Sequence, residues 1–201
     1  MADTKDNPEK KVIKTSASPP AEFVYELKIP KDRVPVLIGT KGETKKQLEA
    51  MTRTKIQVDS KEGDVTISGK DPLTLYTTRE IIAAIGRGFS PDRAQTLLRQ
   101  ENGFELINLR DYAKSDNDLI RLRGRVIGED GKSRRVIEEL TGVYMSVYGK
   151  TIAMIGDLEG LPIARRAIEA ILAGSRHASV YRWLENQRKK LRQQQLSQGG
   201  F

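Results

Sequence analysis

The chain repeats itself without a gap. Sliding Leu37–Val58 onto Val126–Val147, an offset of 89 residues, pairs 22 positions, of which six are identical and seven more keep their chemical type. The identical pairs are Ile38/Ile127, Gly39/Gly128, Gly42/Gly131, Glu49/Glu138, Thr52/Thr141 and Val58/Val147. In a chain of 201 residues this argues for two domains of about 70 residues, each with its own core. Domains that small are marginal alone, so the two are expected to pack on each other.

Two glycines three apart prove little, because 17 Gly in 201 residues give about 1.4 such pairs by chance against the two present. The flanks carry the argument. Each Gly-x-x-Gly follows a short apolar segment and opens a helix whose first turn carries a hydroxyl and then two bases, Thr44-Lys45-Lys46 in one copy and Ser133-Arg134-Arg135 in the other. Each helix then sets an apolar stripe, Leu48 and Met51 in the first copy, Val136, Ile137 and Leu140 in the second. Amides at a glycine turn leading into a helix N-terminus suit an oxygen anion, and bare Cα atoms let a phosphate come close.

Along the chain, residues 1–20 are Lys, Asp, Ser and Pro with few apolar residues and are expected to be disordered. Glu22–Ile29 alternates as a strand, Val34–Ile38 reads as a short helix into the first turn, and Thr44–Met51 as the helix after it. Lys55–Asp59 and Val65–Ser68 read as strands. Asp71-Pro72, a cap plus first-turn proline, opens a helix carrying Leu73, Leu75, Ile81, Ile82 and Ile85. Ser90-Pro91-Asp92 caps a linker helix within 89–103. The second copy then runs as strand Phe104–Asp111, a polar insertion near Lys114–Asp118, helices Leu119–Ile127 and Lys132–Leu140, a hairpin through Gly149-Lys150, and a helix from Asp157. Arg176–Gln195 reads as one more helix, with Val180, Trp183, Leu184, Gln187 and Leu191 on one face and five bases elsewhere.

The net charge is +8, and five of the eight excess charges sit in residues 176–201. A second basic cluster, Arg121, Arg123, Arg125, Lys132, Arg134 and Arg135, surrounds the second glycine turn. A basic balance favours a polyanion partner. The chain has no cysteine, no apolar run long enough for a bilayer and no leader-like apolar segment, so a cytoplasmic protein without a membrane partner is expected. Gly131-Lys132-Ser133 ends like a Walker A loop, but position 126 is Val where that loop needs glycine, which rejects ATP binding. A single His177, with no carboxylate pair in a recognisable setting, leaves no catalytic residues, no metal site and no cofactor to expect.

The element order, strand, helix, glycine turn, helix, strand, strand, helix, resembles the type I KH domain. The resemblance implies an α+β chain of two tandem type I KH domains, each a three-stranded antiparallel sheet covered by three helices. The domains would span residues 21–88 and 104–175, joined by the linker helix 89–103 and followed by a basic C-terminal helix and tail over 176–201. A KH module holds about four nucleotides, with the glycine loop on the backbone and the bases in an apolar groove. By resemblance the first groove uses Ile38, Gly39, Thr40, Lys41, Gly42, Lys45, Lys46, Ile56 and Val58. The second uses Ile127, Gly128, Glu129, Asp130, Gly131, Lys132, Arg134, Arg135, Met145 and Val147, with Arg125 beside them. Glu129-Asp130 departs from the basic loop common in KH domains, and the neighbouring bases have to offset it.

Longer strings extend the likeness: Gly86-Arg87-Gly88-Phe89-Ser90-Pro91, Glu138–Tyr144, Val147–Thr151 and Ser179–Glu185. Through these, Glu22 to about Arg192 resembles the archaeal small-subunit rRNA-processing KH proteins, the partner-of-Nob family. That family implies single-stranded rRNA near the small-subunit 3′ end as partner, with the maturation endonuclease or ribosomal proteins as further partners. Two other readings stay open: a KH-fold adaptor that binds mainly protein, and a general single-stranded nucleic acid or mRNA regulator.

Overall fold

The computed structural model describes residues 23–198. The N-terminal tail, expected to be disordered, lies outside the described residues, as do residues 199–201. The first copy runs β1 (Phe23–Lys28), α1 (Val34–Ile38), α2 (Glu43–Thr52), β2 (Lys55–Val58), β3 (Asp64–Gly69) and α3 (Pro72–Gly86). Its sheet is antiparallel in the order β1-β3-β2. Val58 pairs with Val65 and Ile56 with Ile67, so the aliphatic residues of both strands share one face. Leu37, Leu48, Ile56, Ile67, Leu75, Ile81, Ile82 and Ile85 are all 0% exposed between that face and the helices, each worth roughly 1.5–3 kcal/mol of burial. The Asp71 carboxylate accepts from the amides of Leu73 and Thr74 to start α3, where Pro72 has no amide to offer.

After a linker helix α4 (Pro91–Ala94), the second copy follows as β4 (Asn102–Asn108), α5 (Asp116–Ile127), α6 (Lys132–Thr141), β5 (Tyr144–Tyr148), β6 (Thr151–Asp157) and α7 (Gly160–Leu172), and α8 (His177–Gln198) is added to it. The sheet order, β4-β6-β5, repeats the first. This is the type I KH arrangement twice over. The insertion that lengthens the second copy lies mainly in α5, which has 12 residues where α1 has five; both copies place a three-residue 3₁₀ turn before that helix, Lys31–Arg33 and Leu109–Asp111.

Four expectations are corrected. The strand expected to reach Asp111 stops at Asn108, whose side chain accepts from the Arg110 amide and turns the chain so that Leu109 enters the core. The linker helix shrinks to four residues plus a 3₁₀ turn, because β4 already starts at Asn102. Met51 and Leu73, placed on buried stripes by spacing, are 48% and 69% exposed. They sit at the last turn of α2 and the first of α3, where neither helix has an overlying neighbour to close the stripe.

The domains are fused through the back of the second sheet. Ala153 and Ile155 on β6 point away from their own helices and join the first domain's core beside Ile85, Phe89, Ala94 and Leu97. On β5 the outward side chains follow suit. Tyr144 lies 4.0 Å beneath the Arg93 guanidinium, Ser146 donates to the Arg87 carbonyl at 2.8 Å, and the Tyr148 hydroxyl donates to Asp32. The Asp32 carboxylate holds the Tyr148 phenol above its ordinary pKa. Arg33 donates to the carbonyls of Ile85 (2.9 Å) and Phe89 (2.6 Å), tying the end of α3 and the start of the linker to the first domain.

The junction leaves no room for a side chain at Gly88, where φ is +99° and a Cβ would meet Ser146 Oγ at 2.5 Å and Tyr148 Cβ at 3.3 Å. Gly88→Ala therefore combines left-handed strain with a clash and is expected to cost about 2 kcal/mol, lowering the thermal midpoint by roughly 4–8 °C. Gly149→Ala, also at positive φ but with nothing within 4 Å, is expected to cost about half as much. Equal midpoints for the two variants in calorimetry would contradict a packed junction.

Candidate nucleic-acid interface

The two glycine turns have nearly the same backbone. Gly39 and Gly128 adopt φ/ψ of 73°/177° and 74°/174°, Lys41 and Asp130 are left-handed at φ 53° and 48°, and Gly42 and Gly131 at φ 80° and 75°. The glycines in each turn do different work. A Cβ at Gly128 would lie 2.7 Å from Ser133 Cβ, and one at Gly39 would overlap the Thr44 hydroxyl, so the first glycine is demanded by internal contact. At Gly42 and Gly131 a Cβ would meet nothing within 4 Å. That side of the turn is open to a ligand. Neither α2 nor α6 has a side-chain cap at its N-terminus, which leaves first-turn amides without an intramolecular acceptor of that kind.

Each remaining identical pair has a duplicated job. Glu49 Oε1 accepts from the Ile56 amide at 2.7 Å, and Glu138 Oε1 accepts from the Met145 amide at 2.7 Å, so each clips the glycine-turn helix to the strand facing it. Thr52 and Thr141 return their hydroxyls to the carbonyls of Leu48 and Ile137, both at 2.7 Å. Ile38 with Val58, and Ile127 with Val147, stay half-buried at corresponding positions. In each copy they leave aliphatic surface partly open to solvent. Ile56 and Met145, expected to line the two grooves, are 0% and 4% exposed and belong to the cores; Val58 and Val147, two residues further along the same strand face, keep part of their surface exposed.

The clip also constrains the first pair of bases. Lys45 lies 3.7 Å from Glu49 and Arg134 3.8 Å from Glu138. Thr40, Lys41, Lys46, Glu129, Asp130, Lys132 and Arg135 are exposed at or next to the turns, and among the described residues none of them forms an ion pair. Arg125 is engaged elsewhere. Its guanidinium donates to the carbonyls of Ile171 (3.3 Å) and Ser175 (2.8 Å), closing the end of α7, and its own carbonyl accepts from His177 Nε2 at 2.8 Å. Arg121 is paired with Asp118 at 2.6 Å. Of the six bases expected around the second turn, Arg123, Lys132 and Arg135 remain to face its two acids.

The C-terminal helix docks on the second domain rather than on the turns. Val180 (4% exposed) and Leu184 (1%) enter the second core, and Arg166 lies 5.2 Å over the half-buried Trp183 ring. Arg188, Lys189 and Arg192 border a shallow cleft with Leu140 of α6. His177 is the first residue of this helix and half-buried against α5. The glutamate clips escaped sequence reasoning as site residues, although their signal was present: a charged residue identical in both copies. Among the described residues no helix is long and apolar enough to cross a membrane.

Comparison with known proteins agrees with this architecture. Residues 24–84 match the KH domain model, and residues 103–189 match a model for the second KH domain of partner-of-Nob proteins, described as the eukaryotic type KH domain, type I. The chain is 51% identical over 170 residues to a KH domain-containing protein of Methanocaldococcus jannaschii, covering 83% of this chain and 74% of that protein. Pyrococcus horikoshii Dim2p, solved in a complex with a/eIF2alpha and rRNA, is similar at 48% identity and TM-score 0.79, over 84% of this chain and 96% of that one. A protein of unknown function from Aeropyrum pernix is similar at 33% identity and TM-score 0.83, over 89% and 97%. With two glycine turns on one sheet plan and relatives at this identity over most of its length, the chain belongs to the archaeal Dim2p and partner-of-Nob family of tandem KH proteins.

Proposed function

We propose that the chain binds single-stranded RNA through its glycine turns and grooves, and that it serves small-subunit ribosome maturation at the 3′-end region of the rRNA. The observation that carries this reading is the pair of matching Gly-x-x-Gly turns, each open at its second glycine and each leading into an uncapped helix beside an aliphatic wall. Amides and bases take the backbone, and Ile38/Val58 or Ile127/Val147 take the bases of a splayed strand. The gathered groups are amides, cations and aliphatic carbons, which suit binding rather than bond cleavage. The P. horikoshii relative solved with rRNA and a/eIF2alpha supports both an RNA and a protein partner. Ribosomal proteins or the maturation endonuclease are further partners in this reading.

The two turns contribute unequally. The first offers Lys41 in the left-handed position, whereas the second offers Asp130 there and keeps only three uncommitted bases nearby. The first turn is therefore the stronger backbone clamp. Thr40→Asp with Lys41→Asp is expected to weaken RNA binding about tenfold or more, at roughly 1 kcal/mol per altered charge contact near the surface, while the thermal midpoint stays within the range of surface substitutions. Unchanged affinity in titration would remove the first repeat from the site.

For the second turn the sign reverses. Asp130→Lys is expected to tighten binding to an rRNA 3′-end oligonucleotide by on the order of 1 kcal/mol at low salt, with the gain shrinking as salt screens it. Equal affinities at low salt would show that this loop does not touch the RNA backbone. Weakened binding to a basic protein partner in the same variant would favour the adaptor reading.

A further inference from the structure

Outside the two turns, the copies differ sharply at the far end of the first glycine-turn helix. We propose that the first domain carries a second phosphate site there, a pocket in which Arg53, Lys55 and Lys70 hold the RNA strand as it leaves the first groove. The proposal rests on the RNA reading above and extends it.

Between the end of α2, the start of β2, the end of β3 and the start of α3 lies a cavity of ≈ 640 Å³, in the size range of small-ligand sites, roughly 300–1,000 Å³. Arg53, Lys55 and Lys70 line it, all exposed, and among the described residues none is in an ion pair. The one acid, Asp71, is already committed. Its carboxylate takes the Thr74 hydroxyl and the amides of Thr74 (3.1 Å) and Leu73 (3.3 Å). The buried hydroxyls of Thr52 and Thr54 bond each other at 2.8 Å and close the floor. What the pocket presents outward is positive charge.

The second copy serves as an internal control, because strand register matches it residue by residue. Ile56 pairs with Ile67 as Met145 pairs with Met154, which sets Arg53 against Gly142, Lys55 against Tyr144, Ser68 against Ile155 and Lys70 against Asp157. Three bases in one copy face a glycine, a tyrosine and an acid in the other. Tyr144 and Ile155 are used to dock the first domain and its linker, and the Asp157 carboxylate accepts from the amides of Glu159 and Gly160 in the turn into α7. In the first copy the same surface is left open and made basic.

Arg53 also sits where an arginine is unfavourable. Among the described residues only three non-glycine residues have positive φ: Lys41 and Asp130 in the glycine turns, and Arg53 at φ 51°. L side chains crowd the backbone in that region, and helices commonly end there on glycine. The second copy does so with Gly142, at φ 73° and with open space around it. The fold thus accepts glycine at this turn, and a guanidinium kept at the expense of strain is doing something glycine cannot. The spacing sets the pocket apart from the turn: the ten residues of α2 place it about 15 Å from Gly42.

The test compares wild type, Arg53→Gly, the triple variant Arg53→Gly/Lys55→Gln/Lys70→Gln and the turn variant Thr40→Asp/Lys41→Asp on four- and twelve-nucleotide RNAs over a salt series. Arg53→Gly installs the residue the second copy uses, so its thermal midpoint is expected to rise while its affinity for the twelve-nucleotide RNA falls about fivefold, the size of one exposed charge contact. The triple variant is expected to flatten the log-affinity against log-salt slope by about 2, at roughly 0.7 per contact. Both are expected to bind the four-nucleotide RNA like wild type, whereas the turn variant weakens on both RNAs. Unchanged twelve-nucleotide affinity and slope in the triple variant, with loss in the turn variant, would overturn the pocket alone. Equal loss on the short RNA would also overturn it, since the contact would then lie inside the groove. Wild type binding neither RNA would bring down the RNA reading and the pocket together.

Discussion

Where Gly128 faces Ser133, the amide and Cβ of Ser133 both stand 2.7 Å from the place a side chain would occupy, and Gly39 against Thr44 repeats the crowding. This contact sets how sharply one helix reverses into the next, because only a residue without Cβ at positive φ lets the two helix ends come so near. The rest of each domain follows from that reversal. It brings Leu37 and Leu48, or Leu122, Val126 and Ile137, onto one sheet face, and it presents the following helix end-on to solvent with its first-turn bases beside the groove. A looser turn would still leave an amphipathic helix, but the glutamate at the seventh helical position would no longer reach the strand amide it clips.

Much of this was legible in the sequence because the duplication supplies its own filter. A residue held constant between two copies that have otherwise diverged is held by something local, and the six identical pairs fall into matching local settings: two glycines per turn, two half-buried aliphatic positions, a strand clip and a hydroxyl returned to the helix backbone. The element order and the helix starts at Asp71 and Ser90 were equally readable, since caps and prolines act through their nearest neighbours.

Less legible was whatever depends on the partner of a side chain. Periodicity placed Met51 and Leu73 inward, but a stripe is buried only where another element lies over it. Charge counting placed Arg125 with the RNA-facing bases, whereas its guanidinium spans to the end of α7 some 46 to 50 residues away. Ile56 and Met145 look like groove residues by proximity to Val58 and Val147, and it is how far the cover extends along that shared strand face that makes the first two core and leaves the others partly exposed. The outward burial of Ala153 and Ile155 was hidden for the same reason: the apolar run Ile152–Ile155 of β6 reads as a central strand, and the sequence does not say what lies behind it.

That shared seam also imposes an order on synthesis. Ile85, Phe89, Ala94 and Leu97 are complete early, yet the β6 residues that cover them, Ala153 and Ile155, come about 60 residues later. At roughly 5–20 residues per second, a nascent first domain stands for about 3–12 s with this apolar edge uncovered. During that interval the newborn chain is exposed to capture by chaperones or by the same edge of a neighbouring nascent chain. The linker's polar caps and the Arg33 bonds to the carbonyls of Ile85 and Phe89 already satisfy the backbone there, so what waits for β6 is greasy surface and not unpaired peptide groups.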